Sequence, residues 1–414
     1  MSWRARKPGR SARARKRAGF TLLELMVALA IGTLVVATMY TLSGASARAF
    51  QTQQRISQLQ LQTRLALERV RRDVAAAGFG GTPDSQRERI CGTAGITTRL
   101  LAVQLTDHDP AATGALATMT GAAAAATHGD RLRLLGNFAT SDTYLIANTG
   151  SANGSSILLQ SNWQAFRRTF AADPLGTTVD SSLFQQVFAT GRVLHITHPR
   201  GYHFFTVVQS SSVDSAGRTP SISVSPPLPS LDECNFSLCV GCQVTPLMMV
   251  EYGIDTAANV LGAGTGLVGN DPLVTGTNTV LYRRELDPTT GTPIAGQTAR
   301  VVLEYAVDFE VMAIYDQAPV GNPPRLSPPV AAIPVGLESR VRALTVSIAG
   351  RTSDIDPTYP FPYAGIRNAT INPVTGFAID PLTAFPVFND RPGSARVRTA
   401  MAEFVLENLA LRGL

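Results

Sequence analysis

The chain has 414 residues, with 36 basic and 30 acidic side chains and a net charge of +6. Eight of the 36 bases fall within residues 1–19, so the remainder carries 28 bases against 30 acids, and charge gives no reason to read the body as a nucleic-acid binder. Charged residues make up 16% of the chain and Gly and Pro number 35 and 26, a composition that suits an exported, loop-rich β protein better than a helical cytosolic enzyme.

Residues 1–19 hold Arg4, Arg6, Lys7, Arg10, Arg13, Arg15, Lys16 and Arg17 and no acid. An apolar stretch follows from Phe20 to Leu42, in which Glu24 is the only charged side chain. As a helix rising 1.5 Å per residue it would span roughly 34 Å, enough to cross a bilayer core. The positive leader holds its own end in the cytoplasm. A carboxylate inside such a stretch is costly and marks a function or a partner. In a secretory signal peptide the small-residue cleavage site comes after the apolar segment. Here the small residue, Gly19, comes before it. A cut after Gly19 would remove the charges, keep the apolar helix and free an amine on Phe20. An ion pair between that amine and Glu24 of a neighbouring chain would set the register of packed helices.

The run Gly19-Phe20-Thr21-Leu22-Leu23-Glu24-Leu25-Met26-Val27-Ala28 resembles the class III signal of type IV prepilins and type II secretion pseudopilins. The resemblance implies that a membrane prepilin peptidase cuts between Gly19 and Phe20 and methylates Phe20. It also implies that Glu24 contacts the N-terminus of a neighbouring subunit. A plain signal anchor with a stray glutamate is the competing reading.

From Arg48 to Ala77 there is no Gly or Pro, and Ile56, Leu59, Ala66, Val70, Val74 and Ala77 recur at three- and four-residue steps. This predicts that the helix continues past the membrane and ends at Gly78, Gly80, Gly81 and Pro83. An amphipathic helix lying on a membrane is the alternative. Further on, Arg131–Leu135, Ser156–Leu159, Val193–Ile196 and Phe204–Val208 read as short strands. Residues 110–129 read as a surface loop, with a helical turn available at 122–126. Residues 210–233, with four prolines, read as a linker or an extended excursion before the cysteine cluster. In the C-terminal third, Met248–Tyr252, Thr279–Arg284, Val301–Ile314 and Val341–Ile348 alternate as half-buried strands do, with Pro-rich loops at 318–334 and 356–392.

The four cysteines, Cys91, Cys234, Cys239 and Cys242, allow two disulfides in three connectivities, as expected of an exported chain. A zinc site is the rival, since Cys239-Val240-Gly241-Cys242 is a C-x-x-C, but structural zinc sites usually pair two such spacings. Redox catalysis would need that motif to open a helix in a thioredoxin-like unit.

Other motifs are discounted. Gly264 to Gly269 fits G-x-G-x-x-G, yet Pro272 follows and strand texture returns by Thr279, so a loop is expected. His195, His198 and His203 form a histidine cluster, but positions three apart on a strand face opposite ways, which works against a shared metal. The arginine pairs at 167–168 and 283–284 read as solvated strand-edge charges rather than a docking site. Neither a G-x-S-x-G elbow nor H-E-x-x-H appears. No enzyme, cofactor or metal is expected.

The expected fold class is α+β: a long N-terminal hydrophobic and amphipathic helix followed by a large β-rich globular head. Its parts are a leader (1–19), a membrane half of the helix (20–42), an exported half (43–78) and the head (79–414), with room for two subdomains. The order of Val250-Glu251-Tyr252, Leu281-Tyr282-Arg283-Arg284, Leu303-Glu304-Tyr305-Ala306-Val307 and Arg340-Val341-Arg342-Ala343, ending near Leu411-Arg412, resembles PilW-type minor pilins. Its Leu406-Glu407-Asn408-Leu409 ending is looser than that family's strand-like finish. The resemblance implies a place in the inner membrane and then in a type IV pilus at the cell surface. It implies partnership with prepilin peptidase, other minor pilins, the major pilin and a tip adhesin, and none with nucleic acid. Two alternatives remain open: a minor pseudopilin resembling the J component of type II secretion, and a membrane-anchored adhesion module.

Overall fold

The computed structural model describes residues 20–78, 89–91, 100–106, 128–140, 142–151, 153–229, 236, 239–261, 278–294, 299–318, 322–353, 384–386 and 394–410. The expected leader, the 264–269 glycine motif and Cys234 lie outside those residues. The layout is α+β, a long helix followed by a β-rich head.

Helix α1 runs over Leu22–Ala76. Contacts divide the chain into two units, residues 1–55 and 56–414. In the first, every described residue is exposed as far as Gln51, and the helix is long and apolar enough to cross a membrane. In the second, Leu59, Thr63, Ala66, Val70, Val74 and Ala77 are buried, a stripe at three- and four-residue steps that seats one helix face on the head. Thr63, absent from the apolar stripe read in the sequence, sits there with its hydroxyl bonded to the Leu59 carbonyl at 2.7 Å. Ile56 is only half-buried.

The helix end shows how its unpaired carbonyls are met. Gly78 adopts φ 76°, the left-handed conformation that closes helices, and its N–H donates to the Leu135 carbonyl at 2.8 Å. The side-chain amide of Asn408 donates to the Ala75 and Ala77 carbonyls at 2.8 and 3.2 Å. A Cβ on Gly136 would lie 2.5 Å from the Ala76 carbonyl oxygen, so only glycine lets that strand meet the helix end.

The described strands are β1 (Arg89–Cys91), β2 (Val103–Thr106), β3 (His128–Gly129), β4 (Arg131–Gly136), β5 (Tyr144–Thr149), β6 (Ser156–Leu159), β7 (Val193–Thr197) and β8 (Tyr202–Val213). They continue as β9 (Pro220–Ser225), β10 (Gln243–Thr256), β11 (Thr279–Leu286), β12 (Arg300–Glu304), β13 (Ala306–Tyr315), β14 (Val341–Arg351), β15 (Ala384–Pro386) and β16 (Ser394–Val405). The larger sheet has the path β1-β8-β9-β6-β5-β10-β11-β12, with β7 joining β8 to β10 and β4 joining β2 to β10. The smaller has the order β15-β16-β14-β13-β3. Strand β10 pairs with β5 and β7 through its first residues and with β4 and β11 through its last ones. One core cluster joins the helix stripe to both sheets through residues such as Val250, Tyr252, Leu281, Phe309, Val346 and Phe404. A second lies around Tyr144, Ile157, Ile196 and Phe204, with Phe166 and Phe170 from α2 (Gln164–Phe170) and Phe184 from α3 (Ser181–Val187).

Several sequence readings are corrected. Residues 210–233 are not simply a linker: β8 runs to Val213 and β9 occupies Pro220–Ser225, with Ile222 and Val224 turned inward. Its alternate positions are serines, which hid the strand behind a polar texture. Val301–Ile314 is two strands in two different sheets, joined at Tyr305, whose φ of 53° breaks the extended run. Arg351 covers that joint, its guanidinium 5.0 Å from the Tyr305 ring. The C-terminal region holds a twelve-residue strand, β16, before the short helix α5 (Glu407–Ala410); the intervening helix α4 is Ala257–Leu261.

Two carboxylates lock these elements on opposite faces of β10. Glu251 is fully buried and faces Arg133 on β4 and Arg284 on β11, its direct partners across the two ladders. It accepts from Arg133 Nε at 2.7 Å, Arg284 Nε at 2.9 Å and Tyr282 Oη at 2.8 Å. Burial pushes its pKa up, but the arginines and the tyrosine outweigh that and hold it below the usual value. On the other face Tyr252 and Arg283, also direct partners, both reach Asp73 of α1 at 2.6 Å. Arg283 and Arg284, expected at a solvated edge, are thus internal struts, and β11 lies between β10 and β12. Arg167 and Arg168 are solvent-exposed as expected, but on helix α2 rather than a strand edge, and Arg168 bonds Asp142.

Removing one partner of a buried ion pair strands the other. Asp73→Ala should therefore destabilise the head by about 3 kcal/mol, read from urea unfolding of the full chain in detergent micelles. A loss under about 1 kcal/mol would mean that Asp73 is no anchor.

Candidate functional site

The N-terminal site is built by the first turn of α1. The Thr21 hydroxyl accepts from the Glu24 N–H at 3.2 Å, while Glu24 Oε2 accepts from the Thr21 N–H at 2.9 Å and its hydroxyl at 3.1 Å. This reciprocal pattern is a capping box, written in the sequence as T-x-x-E and satisfying two amides at the helix start. It also places a negative charge where the helix dipole is positive. Thr21 was not singled out from the sequence, although the spacing to Glu24 could have found it. Both Thr21 donors use Oε2, and Oε1 accepts no hydrogen bond among the described residues. Phe20 is 89% exposed. Gly19 lies outside the described residues.

In the head, Cys239 and Cys242 are joined by a disulfide with Cα atoms 5.4 Å apart, within the normal range. Cys91 is also disulfide-bonded, and among the described residues no cysteine is free. The three are buried in the second core cluster. A ring nitrogen of His198 and the sulfurs of Cys239 and Cys242 lie within 4.8 Å of one another. That donor set has the chemistry of a soft-cation site, but metals take thiolates, and these two sulfurs are bonded to each other. Burial, then the Arg200 charge, holds the His198 pKa below its ordinary value, so the ring is mainly neutral at pH 7.

The other histidines are arranged differently from the single-strand argument. His195 on β7 and His203 on β8 meet across the hairpin, Nε2 to Nδ1 at 2.8 Å, and both are buried. His195 stacks on Phe205 at 4.6 Å. Alternation along one strand separates His195 from His198, but the partner strand supplies what the single strand cannot.

Alkylation of the denatured, unreduced protein should leave Cys91, Cys239 and Cys242 unmodified, and modify all three after reduction. Labelling of Cys239 and Cys242 before reduction, with stoichiometric zinc, would replace the disulfide by a metal site.

Residues 14–40 match the prokaryotic N-terminal methylation motif. No curated protein and no solved structure was found to match the chain. The match supports a type IV pilin-like protein. The motif implies processing by a prepilin peptidase, and with the apolar helix it fits membrane anchoring.

Proposed function

We propose that this chain is a minor pilin of the PilW type, a non-enzymatic part of type IV pilus assembly. It is inserted in the inner membrane as a prepilin with its head exported to the periplasm. It is cut between Gly19 and Phe20, methylated on Phe20, and built into the pilus beside other minor pilins and the major pilin. There it starts or caps the filament and presents the tip, where an adhesin is a further partner. The observation that carries the reading is the methylation motif at 14–40 leading directly into α1. The size of the β-rich head adds support, because a subunit repeated along a filament must be compact.

The chemistry assigned to the N-terminus follows from the capping box. Thr21 occupies one oxygen of Glu24 and leaves the other for the Phe20 amine of a neighbour. Phe20, exposed and next to the cap, carries that amine once Gly19 is removed.

Two substitutions test the reading. Gly19→Val should leave the precursor at full length, because the cut needs a residue without a side chain. Normal shortening in that variant would remove the assigned cleavage site. Glu24→Ala should be inserted and cleaved normally, yet its content in sheared pili should fall roughly tenfold or more as the inter-subunit pair is lost. Wild-type content would make α1 a simple anchor. Deletion of the gene should abolish surface pili. Intact pili with failed type II secretion would move the protein to the pseudopilins.

A further inference from the structure

Beside the Asp73 anchor, within the second unit, lies a cleft of about 540 Å³ between the last turns of α1, helix α3 and the edge of the larger sheet. Five arginines line it, Arg69, Arg72, Arg192, Arg283 and Arg300, against two carboxylates, Asp73 and Glu285. Both carboxylates are already committed. Asp73 holds Arg283 at 2.6 Å, and Glu285 holds Arg192 at 3.0 Å in a pair that is almost fully buried. Arg72 reaches Glu68 only at 3.7 Å, on an exposed face. Among the described residues, neither Arg69 nor Arg300 forms an ion pair, although Arg69 is one turn before Asp73.

Arg300 faces Arg283 directly across the β11–β12 ladder. Like charges in that position destabilise a sheet, and Asp73 neutralises only one of the two. The wall is not wholly polar, since Phe138, Leu183 and Met248 also line it. The C-terminal end of α1 opposes an anion here, but its half charge is smaller than the surplus of guanidiniums. Guanidiniums keep their charge at any physiological pH and take carboxylate or phosphate oxygens in pairs. The volume is that of a small-molecule site.

We propose that this cleft binds a small polyanion, its carboxylate or phosphate groups held by Arg69 and Arg300, with Arg72 beside them and the apolar wall packing its carbon skeleton. The site does not depend on the pilin reading, because every residue in it belongs to the head or to the helix turns seated on the head.

The full chain in detergent micelles is titrated by calorimetry with tripolyphosphate and, separately, with tri-galacturonate; the tighter probe identifies the phosphate or the carboxylate as the preferred group. Affinity should weaken as salt is raised. The Arg69→Gln/Arg300→Gln variant should bind at least about tenfold more weakly. Its urea unfolding midpoint should not fall, since both side chains are exposed and Arg300→Gln relieves the like-charge contact with Arg283. The matched-charge control, Arg200→Gln/Arg218→Gln, alters two exposed arginines outside the cleft and should bind like the parent. Failure of both probes to bind at millimolar concentration overturns the proposal. So does an equal loss in the control, which would reduce the effect to net charge.

Discussion

The carboxylate of Asp73 decides how the head is held to its helix. It accepts from Tyr252 and Arg283, which stand opposite each other on β10 and β11, so one helix side chain reads the register of two strands. The preceding residue of β10, Glu251, turns to the opposite face and meets Arg133 and Arg284. A slip of one residue would exchange the two faces, sending Glu251 toward the apolar stripe of α1 and Tyr252 away from its acceptor. Apolar packing along α1 supplies most of the attraction, being non-directional and proportional to area. The two carboxylates supply what packing cannot, a unique register.

The helix end adds a second constraint. Gly78, Gly136 and Asn408 come from three distant parts of the sequence and meet within one turn. Asn408 belongs to the last described helix, so the carbonyls of α1 are completed only when the C-terminal segment is in place. Strand β16, just before it, pairs with β14 from Val397 to Val405. The sheet that covers one side of the helix and the cap that closes its end are therefore joined through a single short connection, and each fixes the other.

What the sequence made legible follows from period. The buried stripe of α1 could be read because a helix returns every third or fourth residue to one face, and only Thr63 escaped, as a polar residue whose hydroxyl is satisfied by its own helix. Strands with clean alternation, such as Ser156–Leu159, kept their bounds. The failures share one cause, information that lies in the partner and not in the segment. Strand β9 is half serine, and nothing local says that Ile222 and Val224 face a core. The continuous apolar run around Tyr305 conceals a change of sheet, since periodicity cannot show which sheet a strand joins. Helices α2 and α3 are too short to display a period, and their Phe166, Phe170 and Phe184 form part of a ring cluster visible only in three dimensions. The buried histidine pair and the arginine struts are cross-strand contacts of the same kind.

The two units meet their polar groups by different means. In the second unit, buried charges are answered within the chain: Glu251 by Arg133 and Arg284, Glu285 by Arg192, Asp73 by Arg283. In the first unit the described apolar side chains face outward, and among the described residues the charge of Glu24 is answered by Thr21 alone. That bond matters for the proposed assembly step. A carboxylate with no partner would make the waiting subunit costly in hydrocarbon, and one with every lone pair engaged would have nothing to offer a neighbour. Thr21 occupies one oxygen and leaves the other. A neighbour's amine then adds to an interaction already made, so the oxygen it meets is fixed in direction by the helix start and has little rotamer freedom left to lose. The same T-x-x-E spacing that begins the helix thus prepares the acceptor on which, in this reading, the filament is registered.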